Sequence, residues 1–150
     1  MFPIGKDKGN IYYHVAKEPY YKAKKGLEIA KFDFQNRFVL ENEIELTGSQ
    51  KNSYFEFYNI INDTINLIYS FKNKDHKKTY FFRQTIDGKT LSINNNEKMI
   101  FEVDWSDLSS DQADNIAYKL AISPDSSKII LCYSVNDDKS NNRLYYGFVV

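Results

Sequence analysis

Only one cysteine, Cys132, stands in the 150-residue chain, so no internal disulfide forms and no cysteine pair holds a metal. It lies in an apolar run, where a thiol reads as a small buried hydrophobe. Histidine is almost as scarce. His14 and His76 are the two present, and neither has a second His, Cys or acid at ligand spacing. Both read as packed or solvated side chains rather than as ligands or bases. Net charge is absent, with 20 basic and 20 acidic residues, which removes the general electrostatic case for nucleic acid or an anionic membrane surface. No stretch reaches the roughly 18 apolar residues of a membrane span. The opening Met1-Phe2-Pro3-Ile4-Gly5-Lys6 lacks the charged start and apolar middle of a signal peptide. The compartment stays open: periplasmic or extracellular for a parent chain with a leader, cytoplasmic otherwise.

The six glycines build neither a Gly-x-Ser-x-Gly elbow nor a phosphate-cradling loop. Ser123 and Ser134 have no His/Asp partners nearby in sequence. Asp104, Asp107, Asp111 and Asp114 share one segment, but spacings of three, four and three without glycine do not converge oxygens as a calcium loop does. Lys72, Lys74, Lys77 and Lys78 read as a solvated hairpin tip. Tyr12, Tyr13, Tyr20 and Tyr21 read as packing between sheets. The expectation is a non-enzyme with no catalytic residue, no cofactor and no metal site.

What the chain does have is β-forming residues, with 42% hydrophobic and 16% aromatic content. That composition excludes a disordered chain. Arginine is confined to Arg37, Arg83 and Arg143, while Lys, Asn, Ile, Tyr and Phe abound. AT-rich codons produce this bias, so the aromatic richness alone does not argue for a stacking surface. No segment of ten or more residues shows a helical period. Short apolar runs separated by turn residues predict strands at 11–16, 27–34, 38–46, 54–60, 65–72, 78–86, a broken 91–103, 116–122, 129–135 and 144–150. Phe38–Leu46 alternates, with Phe38, Leu40, Ile44 and Leu46 on one predicted face and Val39, Glu41, Glu43 and Glu45 on the other. One wet face with acids suits an outer strand. Asp87-Gly88 signals a hairpin.

The chain also repeats. Ile129-Ile-Leu-Cys-Tyr-Ser134 echoes Ile65-Asn-Leu-Ile-Tyr-Ser70 at an offset of 64 residues, and Leu144-Tyr-Tyr146 falls over Tyr80-Phe-Phe82. The strands group into units 11–46, 54–103 and 116–150, each ideally a four-stranded up-and-down antiparallel sheet. The first lacks an opening strand and the last lacks a closing one. In each unit the inner strands are apolar on both faces, as sheets stacked between neighbours require.

Ile122-Ser123-Pro124-Asp125-Ser126-Ser127-Lys128, followed by Ile129-Ile130-Leu131, resembles the blade motif of WD40-like propellers related to TolB and of the propeller domains of prolyl-oligopeptidase-type peptidases. Ser123, Pro124 and Asp125 form its structural turn, with proline fixing φ. Ser126 stands where that family usually has glycine, and the 64-residue offset exceeds the roughly 40–50 residues of common propeller repeats. The resemblance implies about two and a half blades of a partial propeller, with remaining blades elsewhere in a longer chain. It implies a protein- or peptide-binding scaffold, or the propeller domain of a larger peptidase or glycan-active enzyme. A single closed β-barrel or sandwich is the competing architecture, and a small ligand-binding barrel the competing function. Either would need the run at 144–150 to pair near 11–16.

Overall fold

The computed structural model describes residues 1–15, 27–46, 53–94, 97–108, 117–123, 128–135 and 143–149. Eleven strands are present among them: β1 Phe2–Lys6, β2 Asn10–His14, β3 Leu27–Asp33, β4 Phe38–Ile44, β5 Ser53–Ile61, β6 Thr64–Asn73, β7 Lys78–Asp87, β8 Lys98–Asp104, β9 Ala117–Ile122, β10 Ile129–Val135 and β11 Arg143–Val149. They form three antiparallel sheets in the orders β1-β2-β3-β4, β5-β6-β7-β8 and β11-β10-β9. Every sheet is an up-and-down meander of chain neighbours. None closes on itself: among the described residues β11 pairs with β10 and not with β1 or β2, so the competing barrel does not form.

The first unit is complete, contrary to the sequence reading. Phe2–Lys6 pairs antiparallel with β2, Phe2 opposite His14 and Lys6 opposite Ile11. Pro3 and Gly5 hide this strand from pattern reading. Proline is tolerated here because β1 is an edge, and the register breaks between Pro3 and Gly5 as a bulge. Gly5 also lets the neighbouring sheet approach: an added Cβ would fall 3.0 Å from Ile60 Cδ1.

The sheets stack face on face. Tyr12, Leu27, Ile29 and Ile44 of the first sheet meet Ile65, Leu67, Tyr69 and Ile86 of the second in one buried cluster. The opposite face of the second sheet presents Phe81 and Val103 to Leu131, Tyr118 and Leu120 of the third. β6 is therefore covered on both sides, and Ile65 to Ser70 are buried without a break. This is why the simple alternation of a one-sided strand is missing there. β1 runs beside β5, and β11 beside β8. The 64-residue offset lays β10 over β6, the second strand of each unit, yet the registers differ: Ile65 pairs with Ile86, whereas Ile129 pairs with Val149.

Two turn readings change in detail. Asn62 and Asp63, at φ 47° and 60°, make the tight two-residue β5–β6 turn. Asp87-Gly88 opens a wider turn instead. Asp87 N–H donates to Ser92 O, the Asp87 carboxylate accepts from the amides of Lys89 and Thr90 at 2.7 and 2.9 Å, and Leu91 takes φ 55°. The outer strand then resumes as a single bridge, Ile93 to Ile86, before β8.

Candidate functional site

The β1–β2 turn, the β5–β6 turn and the turn at Gly88 gather at one end of the first two sheets. Asp7 caps the β1–β2 turn, its Oδ1 accepting from the amides of Gly9 and Asn10, each at 2.7 Å. The short polar run Asp7-Lys8-Gly9-Asn10 folds this way because an aspartate can replace backbone partners locally and glycine leaves room for the turn. The other oxygen of Asp7 accepts from the hydroxyl of Tyr12. Tyr12 reaches through the core between the sheets, and the Gly88 carbonyl lies 3.1 Å from the same hydroxyl. Lys31, only 7% exposed, donates from Nζ to that carbonyl at 2.9 Å and lies over the Tyr12 ring. Gly88 N–H in turn donates to Asp63 O at 2.6 Å. A Cβ on Gly88 would fall 2.6 Å from Asp63 O and 2.8 Å from the Tyr12 hydroxyl, so only glycine fits.

The electrostatics follow from these contacts. Burial pushes the Asp7 carboxyl up, but the bonds from the Tyr12 hydroxyl and the Gly9 and Asn10 amides outweigh it and hold Asp7 below the usual carboxylate range. Burial, then the carboxylate of Asp7, push the Tyr12 phenol well above its ordinary value. Tyr12 therefore stays a neutral donor and Asp7 a charged acceptor.

Beside this network lies an open cleft of about 340 Å³ between the β1–β2 and β5–β6 turns. Lys6, Asp7, Lys8, Ile60, Asn62 and Asp63 line it. Asp7 is committed to its own turn, which leaves two ammonium groups, a carboxylate and an amide around one aliphatic side chain. Such a lining suits a backbone-and-side-chain ligand of mixed charge. Among the described residues no group of three His, Cys, Asp or Glu is placed to hold a metal ion. Among them, too, no helix is long and apolar enough to cross a membrane.

The residues singled out in the sequence fall elsewhere. Ser123 N–H donates to Lys128 O at 3.0 Å and its hydroxyl accepts from Lys128 N–H at 2.9 Å, which closes the β9–β10 connection. Pro124 and Asp125 lie outside the described residues, as do Tyr20, Tyr21, Asp111 and Asp114. His14 stands 3.2 Å from the Tyr58 hydroxyl through Nδ1 and packs against the rings of Phe2 and Tyr58; burial lowers its pKa. His76 sits in the β6–β7 turn, its amide bonded to Asn73 Oδ1 at 3.1 Å. The lysines there split: Lys72 lies 5.0 Å over the Trp105 ring and Lys78 pairs with Glu102. Cys132 is half-buried between Lys119 and Tyr146 in the third sheet.

A second polar group was not expected from sequence. Glu56 bulges from β5, where the register breaks between Phe55 and Phe57, and accepts from the Ser70 hydroxyl at 2.6 Å. Burial raises its pKa; the Ser70 bond works against the rise. Ser70 is the cross-strand partner of Phe81, so this carboxyl belongs to the side of the second sheet that meets the third. Nothing in the local pattern marked the Asp7–Tyr12–Lys31–Gly88 group, because its partners are up to 76 residues apart. Asp87-Gly88 was legible as a turn, but not as a partner of Tyr12 and Lys31.

Fold and cleft together define an all-β protein of stacked antiparallel meanders with a mixed-charge recess at its turn end. No protein-family model, no curated protein and no solved structure matches the chain.

Proposed function

We propose that the chain is a segment of a WD40-like or TolB-type propeller that acts as a binding scaffold, presenting its turn-end cleft to a protein or peptide. The observation that carries this reading is the second sheet, covered on both faces by sister meanders, with the β1–β2 and β5–β6 turns and Gly88 brought together at one end. Blades stacked in this way leave their turns as the variable surface while the strands supply a rigid frame. The Gly88 contact stiffens the rim of the recess, which lowers the ordering cost of binding there.

A peptide-display selection against the purified chain tests the proposal. Recovered peptides are expected to bind the intact chain and to lose about tenfold or more in affinity when Lys6→Glu and Lys8→Glu are combined. Peptides indifferent to that double change, in a chain whose circular dichroism is unaltered, would overturn the cleft as the binding surface.

A further inference from the structure

Of the six glycines, Gly88 is the one that follows an aspartate or asparagine. Asp7, Asp33 and Asp104 also cap turns, but the residues after them are Lys8, Phe34 and Trp105. An Asp–Gly bond carries a chemistry of its own, because the glycine nitrogen has no Cβ beside it to hinder attack on the aspartate Cγ. From the carboxylic acid form, an N–Cγ bond forms, and the carboxyl hydroxyl leaves with the amide proton as water. A second water opens the resulting five-membered imide. Where it breaks the original Asp87 C–Gly88 N bond, the chain runs on through Cγ as isoaspartate. One water leaves and one returns, so the mass is unchanged and no oxidant or cofactor takes part.

The fold holds this peptide group by each of its polar atoms. Asp87 O accepts from Leu91 N–H at 2.7 Å, and Gly88 N–H donates to Asp63 O at 2.6 Å. Gly88 O accepts from the Tyr12 hydroxyl at 3.1 Å and from Lys31 Nζ at 2.9 Å. Asp87 Oδ1 is occupied by the amides of Lys89 and Thr90 at 2.7 and 2.9 Å. The bonds from Thr90 and Lys89 also hold the Asp87 carboxyl below the usual carboxylate range, in the ionised form that gives up water least readily. Ring closure therefore requires Gly88 to leave Asp63 and the Asp87 carboxyl to leave its turn.

The product does not fit back. Isoaspartate adds one atom, about 1.5 Å, to the main chain just before Gly88. That site has no slack: a Cβ on Gly88 would already fall 2.6 Å from Asp63 O and 2.8 Å from the Tyr12 hydroxyl.

We propose that Asp87–Gly88 is a latent self-modification site, silent while Gly88 is locked between the first two sheets and converted to isoaspartate when that lock opens. The lengthened chain then keeps the lock from closing. A transient parting of the two sheets is thereby recorded in the backbone as a permanent change. This chemistry is independent of anything the turn-end cleft binds.

The full chain, the same chain unfolded in guanidinium, and the synthetic hexapeptide Gln-Thr-Ile-Asp-Gly-Lys of residues 84–89 are incubated together at mildly acidic pH. Trypsin releases the same hexapeptide from each chain, and chromatography separates its isoaspartyl and aspartyl forms. The unfolded chain and the hexapeptide are expected to convert at matching rates, and the folded chain about tenfold or more slowly. Tyr12→Phe and Lys31→Met each remove one bond to Gly88 O, and each is expected to convert about fivefold faster than the parent while its circular dichroism is unaltered. The isoaspartyl chain, purified from the unconverted one, is expected to exchange the Gly88 amide hydrogen faster. A folded chain that converts as fast as the hexapeptide, a comparison that needs no variant, would overturn the proposal. So would folded variants no faster than the parent, or an isoaspartyl chain whose Gly88 amide stays as protected as before.

Discussion

The junction between the first and second sheets and the junction between the second and third are built from different materials. The first is mainly aliphatic, with Leu27, Ile29, Ile44, Ile65, Leu67 and Ile86 fully or almost fully buried, and its turn end is sealed by the Tyr12 and Lys31 bonds to Gly88. The second, among the described residues, is built mainly on aromatic contacts. Phe81 packs edge-on to Tyr118 at 5.1 Å and to Phe101 at 6.2 Å. Thr79 accepts there from Trp105 Nε1 at 3.3 Å and from the Tyr118 hydroxyl at 3.2 Å. The difference teaches that one sheet can be held by two kinds of contact: area and shape on one face, ring geometry and a shared hydroxyl on the other.

The largest expected effects come from emptying each junction in turn. Phe81→Ala should cost about 3–5 kcal/mol and Leu67→Ala about 2–5 kcal/mol in urea unfolding. Their reach should differ more than their size. Phe81→Ala is expected to speed amide hydrogen exchange mainly in β9–β11, and Leu67→Ala in β1–β8 together. Equal acceleration of β1–β4 and β9–β11 by Phe81→Ala would erase the distinction between the junctions.

An intermediate effect is expected at the seal. Gly88→Ala forces a Cβ against Asp63 O and the Tyr12 hydroxyl and should cost about 1–3 kcal/mol. Tyr12→Phe removes one hydroxyl and should cost about 1 kcal/mol. Thermal unfolding of both variants measures this. A neutral Gly88→Ala would mean that the turns are not locked together.

The smallest effects concern acid, and they run in opposite directions on the two sides of the second sheet. Asp7 is held below its ordinary value in the fold, so its contribution is complete above about pH 4 and is lost as pH falls through the folded value. Glu56 is raised, so its buried charge weighs on the fold above its folded value, and acid relieves that burden. Asp7→Asn should flatten the loss of stability on the acid side. Glu56→Gln should add slightly to stability at neutral pH. Matching pH slopes for the two variants would show that these carboxyls do not differ as their surroundings require.

The strands were legible wherever apolar runs were bounded by polar turns, and β6 and β7 could be read as inner strands from their two-faced hydrophobicity. β1 was not legible, since Pro3 and Gly5 break its pattern and its support comes from pairing with β2 and from packing beside β5. Phe38 was read onto the wrong face because alternation assumes an unbroken register, and a bulge shifts every assignment before it; the register breaks between Lys31 and Phe32, and Phe38 is 59% exposed. The Asp87-Gly88 turn was legible as a turn but not in length, since Leu91 rather than Gly88 adopts the positive φ. The turn-end network could not be read at all, because closeness between Asp7, Lys31 and Gly88 is a product of stacking rather than of spacing.

The bonds from Tyr12 and Lys31 to Gly88 span 76 and 57 residues of chain. Closing loops of that length costs entropy before the contact returns anything, which slows folding. Within the first meander Tyr12 already has Asp7 as its partner, whereas the Lys31 bond to Gly88 forms only once residue 88 is available. The first sheet thus draws one of its buried polar contacts from the second.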